Sequence, residues 1–214
     1  MPPRPKPAPP TLILFVRHGQ TGTTGKILPG RAPGLHLAEK GTAQAEAAAE
    51  RIKGLKKVDA VYSSPLERAR ETAAPIAAAR GLKVTVEKGL LECDFGEWTG
   101  AELKDLMRKP EWSTVQRYPS GFRFPGGESF VEMSARVCST AVKLKDRHPG
   151  QVVVAVSHAD PIKAVVADAL GTHLDLFQRI VVSTCSVTGI LYGAGGPAVL
   201  TVNNTGDLTS LAPS

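Results

Sequence analysis

An unbroken apolar run near the amino end, residues 12–16 (Leu-Ile-Leu-Phe-Val), leads directly into Arg17, His18 and Gly19. A continuous apolar run without alternation is typical of a strand covered on both faces, as in a mostly parallel α/β sheet. In such sheets, ligands bind beyond the carboxyl ends of the strands. The run therefore predicts an α/β fold in which a buried strand delivers Arg17 and His18 to a ligand-binding edge.

Two later segments repeat this arrangement of a strand followed by basic residues. Residues 58–62 form a second predicted strand, and Arg68 falls in the first turn of the helix that follows it. Residues 151–156, rich in β-branched side chains, form a predicted central strand, and His158 follows just after its end. Because parallel strands end at the same edge of a sheet, we expect these side chains to converge with those of the first strand.

Prolines and capping residues predict where the helices begin. Pro65 suits the first position of the helix that carries Arg68, with a serine as its cap, and Pro75 is expected to kink or interrupt that helix. Asp160 is expected to cap the helix after the central strand, and Pro161 to open it. The other predicted helices cover 38–53 and, after a capping box formed by Ser129 and Glu132, 130 to about 148. The other predicted strands cover 82–86, 186–192 and 198–203.

Two segments stand apart from this regular pattern. Residues 1–10 (MPPRPKPAPP) predict a disordered, polyproline-like tail, because proline lacks an amide donor and has a fixed φ. Residues 99–127 hold several prolines and glycines, with one short helical piece near 102–108, and we expect a lid or a binding loop there. The rest of the chain, residues 11–214, is of a length typical of one domain, with the lid as an insertion.

The composition narrows the class of partner. The 214 residues carry 26 Lys and Arg against 20 Asp and Glu, a net charge of +6. There is no dense basic run, so nucleic-acid binding is not favoured, whereas an anionic small molecule is. Three cysteines without CxxC spacing indicate thiols in a reducing compartment, and no metal site is expected. No stretch is long enough to span a membrane, so we expect a cytoplasmic protein.

The residue types that meet at the predicted edge suit a phosphoryl group. Guanidinium groups match phosphate oxygens through paired hydrogen bonds, and the first amides of a helix, here at Ala159, add donors. One imidazole can attack phosphorus and become a phosphohistidine. Arg31, in a Gly- and Pro-rich loop, is a candidate second-tier phosphate ligand or else an ordinary surface arginine. The expected ligand is a small phosphorylated substrate or inorganic phosphate.

Four motifs together resemble the histidine phosphatase (phosphoglycerate mutase-like) superfamily. They are Arg17-His18-Gly19-Gln20-Thr21, residues 63–69 (SSPLERA), residues 91–98 (LECDFGEW) and Ser157-His158. The resemblance spans about residues 12–203. It implies a three-layer α/β/α sandwich with a mixed, mostly parallel sheet.

The resemblance also implies a role for each motif. His18 is the expected nucleophile, and Glu92 is the expected proton donor, which protonates the leaving alcohol and later activates water. The expected phosphoryl ligands are Arg17, Arg68 and His158, with Gln20, Thr21 and Thr24 in the loop beside the phosphate. No cofactor is implied.

The sequence departs from the family pattern at a few positions. Thr24 stands where an asparagine is common, and Gln20 where a glutamate is frequent. Asp94 is the alternative acid, or else it only hydrogen-bonds the turn at Gly96. Among the histidines outside the motifs, His173 is expected to come nearest the pocket.

The segment after Glu92 separates the branches of the superfamily. Cys93-Asp94-Phe95-Gly96 stands in place of the Arg-x-Tyr-Gly stretch of the cofactor-dependent phosphoglycerate mutases and is similar to the broad-specificity phosphatases. The resemblance therefore favours a phosphomonoester hydrolase that acts on small metabolites. A phosphoglycerate mutase is the alternative, and a non-catalytic phospho-ligand-binding protein is less favoured because the catalytic set is complete.

The lid segment is compatible with more than one type of leaving group on the substrate. Its aromatic residues Trp112, Tyr118 and Phe122 suit an apolar group, whereas Arg108 and Arg123 suit a second anion. The sequence does not choose between these. It also leaves the oligomeric state open, a homodimer included.

Overall fold

A mixed six-stranded sheet forms the centre of the protein, for which a computed structural model describes residues 8–211. The strands lie in the order β3-β2-β4-β1-β5-β6. The adjacent pairs β3–β2, β2–β4 and β4–β1 are parallel. Strand β5 is antiparallel to both of its neighbours, β1 and β6. The strands are β1 (Thr11–Arg17), β2 (Ala60–Ser63), β3 (Val84–Val86), β4 (Val152–Ser157), β5 (Val187–Gly193) and β6 (Gly196–Asn204). The predicted mixed, mostly parallel sheet is confirmed.

Helices cover both faces of this sheet. They are α1 (Glu39–Lys53), α2 (Glu67–Ala78), α3 (Leu103–Leu106), α4 (Glu111–Arg117), α5 (Phe130–Arg147) and α6 (Ala159–Ala169). Successive side chains of a strand point to opposite faces. Leu14 of β1 accordingly packs in one cluster with Ile52 of α1 and Ile76 of α2. Phe15 belongs to a second cluster with Phe130 of α5. These layers confirm the α/β/α sandwich.

The helix starts differ from the predictions. Helix α2 begins after Leu66, without a side-chain cap, so Pro65 lies outside it, and the helix continues through Pro75 to Ala78. Pro75 removes one amide donor near the end of the helix, where the buried Ile76 still holds the last turn against the sheet.

Helix α6 also begins earlier than the sequence suggests. His158 is its N-cap residue, and Asp160 and Pro161 occupy the second and third helical positions. The helix therefore starts directly at the end of β4, and its first amides lie at the sheet edge. The predicted capping box of α5 is present, with Ser129 and Glu132 bonding each other's backbone amides.

The segment over 99–127 is more regular than its composition suggests. It contains α3, α4 and a short 3-10 helix at Pro119–Gly121. Phe122 and Phe124 pack edge to face at 4.9 Å, and Trp98 lies 5.4 Å from both rings. Such aromatic pairs add about 0.5–1.5 kcal/mol beyond their buried area. The function of this segment as a lid stays a prediction, and most of the predicted tail at 1–10 lies outside the described residues.

Membrane insertion of a helix finds no support in the described part of the chain. Across residues 8–211, every helix is too short or too polar to cross a bilayer.

Candidate active site

Three strand ends bring the predicted histidines and one arginine together. His18 follows β1, His158 follows β4, and their ring centroids lie 5.1 Å apart. Arg68, from the first turn of α2 beyond β2, places its Nε 3.3 Å from Nε2 of His18. Nε2 of His158 shares a hydrogen bond with the Ser64 hydroxyl at 2.8 Å. The convergence predicted from separate motifs is present.

The hydrogen bonds of His18 define its tautomer. Nδ1 lies 2.7 Å from the carbonyl oxygen of Gly19, which can only accept, so Nδ1 carries the proton. Nε2 faces the Nε–H of Arg68, which can only donate, so Nε2 carries the lone pair. Burial, followed by the charges of Arg68 and Arg17, lowers the pKa of His18 to about 3. At neutral pH the ring is uncharged, as a nucleophile requires.

Close backbone contacts hold the loop that carries His18. The amide of Gly19 donates to Oγ1 of Thr72 on α2 at 3.0 Å. A Cβ on Gly19 would stand 2.5 Å from the carbonyl oxygen of Gly41, and a Cβ on Gly41 would stand 2.0 Å from that of Gln20. The approach of the loop to α1 therefore requires glycine at both positions.

Several buried nitrogen atoms of the site residues near His18 lack a partner among residues 8–211. They are Nε of Arg17, one terminal nitrogen of Arg68 and Nδ1 of His158. Burial is the largest cause that lowers the pKa of both arginines, and Arg68 is fully buried. Because a buried unpaired donor costs about 1–3 kcal/mol, these atoms indicate a site built for an anion that pairs with them.

Glu92 supplies a carboxyl group to the same cavity. Its Oε1 accepts a hydrogen bond from the amide of Cys93 at 3.0 Å, and its side chain is buried. Burial, and secondly the negative charge of Asp160, raise the pKa of Glu92 to about 7. A carboxyl group with this pKa is able to donate and accept a proton near neutral pH.

Most of the predicted phosphate-loop residues line the cavity. Its volume is about 290 Å³, and its walls include Arg17, His18, Thr21, Thr24, Glu92 and Ala159. Arg68 and His158 are fully buried against His18 and are not wall residues. Thr24 does not simply replace the asparagine common in the family. Its hydroxyl accepts from the amide of Thr21 at 2.9 Å and lies 3.0 Å from the Thr21 hydroxyl, so it also braces the loop.

Two predicted phosphate ligands lie elsewhere. Arg31 donates its Nε–H to the carbonyl oxygen of Glu92 at 2.9 Å and pairs with Glu128 at 2.8 Å, so it does not line the cavity. The amide of Gln20 is held by Oε1 of Gln44, and Gln20 also stays outside the lining. Both residues therefore brace the structure beside the site.

Asp94 and His173 both lie outside the cavity. Oδ1 of Asp94 accepts from the amide of Gly96 at 3.1 Å, and Asp94 lies outside the cavity, so the turn-stabilising interpretation is correct. His173 is not at the pocket; it caps the 3-10 helix at Leu174–Arg179. Among residues 8–211, no group of three or more His, Cys, Asp or Glu side chains is placed to hold a metal ion.

The distal part of the cavity contains residues that the sequence did not single out. Lys163, one helical turn beyond Ala159, places Nζ 3.2 Å from Oδ1 of Asp160 and 2.9 Å from Oε1 of Gln178. The apolar walls are formed by Ile27, Leu28, Phe95, Leu103, Trp112, Val115, Phe124 and Phe130. The spacing of Ala159 and Lys163 places both on one face of α6, and this spacing could have indicated that Lys163 lies at the cavity. Its contact with Gln178, in the 3-10 helix at Leu174–Arg179, could not be predicted from spacing.

The residues of the lid segment divide between the cavity and the surface. Trp112 lines the cavity, whereas Phe122 is buried in the aromatic cluster. Tyr118 is 58% exposed, Arg108 pairs with Asp105, and Arg123 pairs with Glu132. The predicted second anion site at Arg108 and Arg123 is therefore absent from the cavity wall.

An α/β sandwich with histidines, buried arginines and a carboxylic acid at the carboxyl edge of its sheet defines a phosphoryl-binding class of protein. Residues 13–205 match the histidine phosphatase superfamily (branch 1), and the chain belongs to that superfamily.

Known relatives agree with this membership. A bifunctional protein of Mycobacterium tuberculosis is 36% identical over 203 residues, which cover 93% of this chain but only 55% of that protein. The chain thus spans about half the length of that relative. Phosphoserine phosphatase 1 of Hydrogenobacter thermophilus is 34% identical over 178 residues, which cover 77% of this chain and 79% of the relative.

Solved structures share the fold. The mycobacterial glucosyl-3-phosphoglycerate phosphatase superposes with a TM-score of 0.82 at 26% identity, covering 92% of this chain and all of that one. A phosphoserine phosphatase of Entamoeba histolytica, solved in complex with 3-phosphoglyceric acid, has a TM-score of 0.82 at 27% identity and covers 91% of this chain and 98% of that one.

Proposed function

We propose that the protein hydrolyses phosphomonoesters through a phosphohistidine on His18. The observation that carries this proposal is the neutral His18 ring, whose Nε2 lone pair faces the buried guanidinium of Arg68. In the first step Nε2 bonds to phosphorus, the ester P–O bond breaks, and the leaving oxygen takes a proton from Glu92. Because one carboxyl group with a pKa of about 7 can serve both directions, no second acid is needed.

In the second step the phosphohistidine is hydrolysed. The Glu92 carboxylate takes a proton from water, the water oxygen bonds to phosphorus, and the P–N bond breaks. Inorganic phosphate leaves, and His18 and Glu92 return to their starting protonation states. Arg17, Arg68 and His158 are the groups proposed to bind the phosphoryl oxygens throughout, since each has a buried nitrogen without a partner among residues 8–211, and Arg68 and His158 lie against His18.

The substrate class follows from the size and lining of the cavity. A volume of about 290 Å³ suits a small metabolite. The relatives named above include phosphatases of phosphoserine and of glucosyl-3-phosphoglycerate, which are small phosphorylated metabolites. The phosphatases among these relatives favour hydrolysis over the phosphoglycerate mutase alternative.

The test combines a nucleophile variant with trapping of the intermediate. We expect His18→Ala to abolish hydrolysis of p-nitrophenyl phosphate, and acid-labile, base-stable label to appear on the wild-type protein after a quench with radiolabelled substrate. His36→Ala, at an exposed histidine, is the matched control and keeps full turnover. Unchanged activity of His18→Ala rejects the proposal.

A coupled enolase assay tests the mutase alternative. Sustained interconversion of 2- and 3-phosphoglycerate, dependent on a bisphosphoglycerate primer, would establish the mutase instead. A homodimer, a cytoplasmic location and a single domain over 11–214 stay predictions.

A further inference from the structure

A cluster of ionic side chains lies behind Glu92, outside the cavity. Glu128 stands at its centre. Its Oε1 accepts from Nε of Arg136 at 3.0 Å, and its Oε2 accepts from a terminal nitrogen of Arg136 at 2.9 Å and pairs with Arg31 at 2.8 Å. The three side chains are 20–28% exposed. We name Arg31, Glu128 and Arg136 the arginine clamp.

The two arginines of the clamp donate hydrogen bonds to the backbone before and after the Cα atom of Glu92. Arg136 donates to the carbonyl oxygens of Gly89 and Leu91, each at 2.9 Å. The carbonyl oxygen of Glu92 itself accepts from Nε of Arg31 at 2.9 Å and from Arg136 at 3.3 Å. Each of these bonds joins a charged donor to a neutral acceptor, a type worth about 1.5–3 kcal/mol.

The arginine clamp also joins segments that are far apart in sequence. Arg31 comes from the loop after β1, Arg136 from α5, and Glu128 from the turn before α5. Glu128 further accepts from the amide of Asp94 at 3.1 Å and donates its own amide to the Asp94 carbonyl at 2.9 Å. The irregular stretch at 91–94 is therefore held at both ends.

Proton transfer is sensitive to this kind of support. A general acid has to lie within hydrogen-bond distance of the atom it protonates, and a misplacement of about 1 Å can cost a hundredfold in rate. The phosphoryl ligands proposed above are Arg17, Arg68 and His158, and within residues 8–211 none of them hydrogen-bonds to a side chain of the arginine clamp. Displacing the backbone at 89–92 thus affects the acid without removing a phosphate ligand.

We propose that Arg136, together with Arg31 and Glu128, is a positioning residue that aims the Glu92 carboxyl group at the leaving oxygen. This inference rests on the proposed function. It assigns to Arg31 the role of supporting the acid in place of the predicted contact with phosphate.

The test compares two esters that differ in their need for a proton. Phenyl phosphate releases a poor leaving group that requires protonation, whereas 2,4-dinitrophenyl phosphate releases a stable anion. Arg136→Lys keeps the charge but cannot make the same planar set of bonds. We expect its rate of phosphoenzyme formation to fall at least about tenfold with phenyl phosphate and less than about twofold with the dinitrophenyl ester.

Controls separate this effect from general damage. Inhibition by inorganic phosphate should stay within about twofold of the wild type. Arg123→Lys is the matched control, because Arg123 pairs with Glu132 on α5, the helix that also carries Arg136. This variant should leave both rates unchanged. Arg31→Gln removes the charged bond to the Glu92 carbonyl together with the ion pair to Glu128. It should show the same selective loss and serves if Arg136→Lys does not fold.

The outcomes are distinguishable. If the wild type forms no phosphoenzyme, the proposed function itself fails. If the wild type forms one, and both clamp variants either keep wild-type rates or slow the two esters equally, only the positioning role of the arginine clamp is overturned.

Discussion

Arg68 donates its Nε–H to Nε2 of His18 across 3.3 Å, so the cation proposed to hold the phosphoryl group also contacts the resting nucleophile. Arg68 is fully buried, and its second contact is a bond to the carbonyl oxygen of Gly30 at 2.8 Å. An arriving phosphate can replace the imidazole as the acceptor of this N–H. Substrate binding would then free the lone pair that attacks phosphorus.

Replacing Arg68 tests this exchange. We expect Arg68→Met to weaken phosphate binding at least about thirtyfold, because a buried charged partner is lost. The pKa of His18 should rise, since the guanidinium charge of Arg68 is one cause of its low value. Titration calorimetry measures the affinity and NMR titration of the ring nitrogens measures the pKa. Arg70→Met, at an exposed arginine of the same helix, is the control and should change neither.

The raised pKa of Glu92 sets the pH dependence of the first step. Because the protonated acid is required, kcat/KM for phenyl phosphate should fall as the pH rises above about 7. Glu92→Gln should lower kcat by about a hundredfold or more and remove this limb, while phosphate inhibition changes little. The dinitrophenyl ester should show no such limb. A limb that persists in Glu92→Gln would assign the titration to another group.

Local sequence patterns were sufficient for the elements that depend on short-range chemistry. The apolar run at 12–16 predicted a strand buried on both faces, and Ser129 with Glu132 predicted the start of α5. The placement of His18 and His158 followed from strand ends, which share an edge in any parallel sheet. Such features need no knowledge of what packs against them.

Long-range ion pairs could not be predicted in this way. Arg31 appeared free to bind phosphate because its partner Glu128 is 97 positions away in the chain. Pro75 was expected to kink or interrupt α2, yet the helix continues past it to Ala78, with Ile76 packed in the core. In both cases the deciding contact is made with an element that is distant in the sequence, so residue spacing alone cannot predict it.

Because α1 contacts the loop that follows β1, replacing Gly41 by alanine should have the opposite effect to that usual in a helix. In an ordinary helix, replacing glycine by alanine stabilises by up to about 1 kcal/mol. Here the new Cβ would stand 2.0 Å from the carbonyl oxygen of Gln20, a backbone atom that cannot turn aside. We expect Gly41→Ala to lower the free energy of unfolding by about 1–3 kcal/mol and to reduce kcat/KM.

Gly22 provides the matched control for this substitution. A Cβ at Gly22 meets no atom within 4 Å, although the residue belongs to the same loop. Chemical denaturation and steady-state kinetics of Gly22→Ala should therefore match the wild type. Equal stability of the two variants would show that the loop and α1 are not in close backbone contact.

The buried ionisable groups of the site also predict how stability changes with pH. Burial is the main cause that lowers the pKa of His18 to about 3 and that of His158 well below 6.5. Between about pH 5 and 6 each histidine therefore gains a proton on unfolding, while Glu92, with its pKa raised to about 7, loses one. Taken together, these three groups bind about one more proton in the unfolded chain, so their contribution lowers the free energy of unfolding by about 1.4 kcal/mol per pH unit on acidification.

Guanidinium denaturation at pH 6 and pH 5 measures this slope. His18→Asn removes one of the two histidines, so the slope should be smaller than that of the wild type by about 1.4 kcal/mol per pH unit. Glu92→Gln removes the opposing group, so the slope should be larger than that of the wild type by about 1.4 kcal/mol per pH unit. A slope that is the same in all three proteins would mean that these groups titrate alike in the folded and unfolded chains, contrary to their burial in the site.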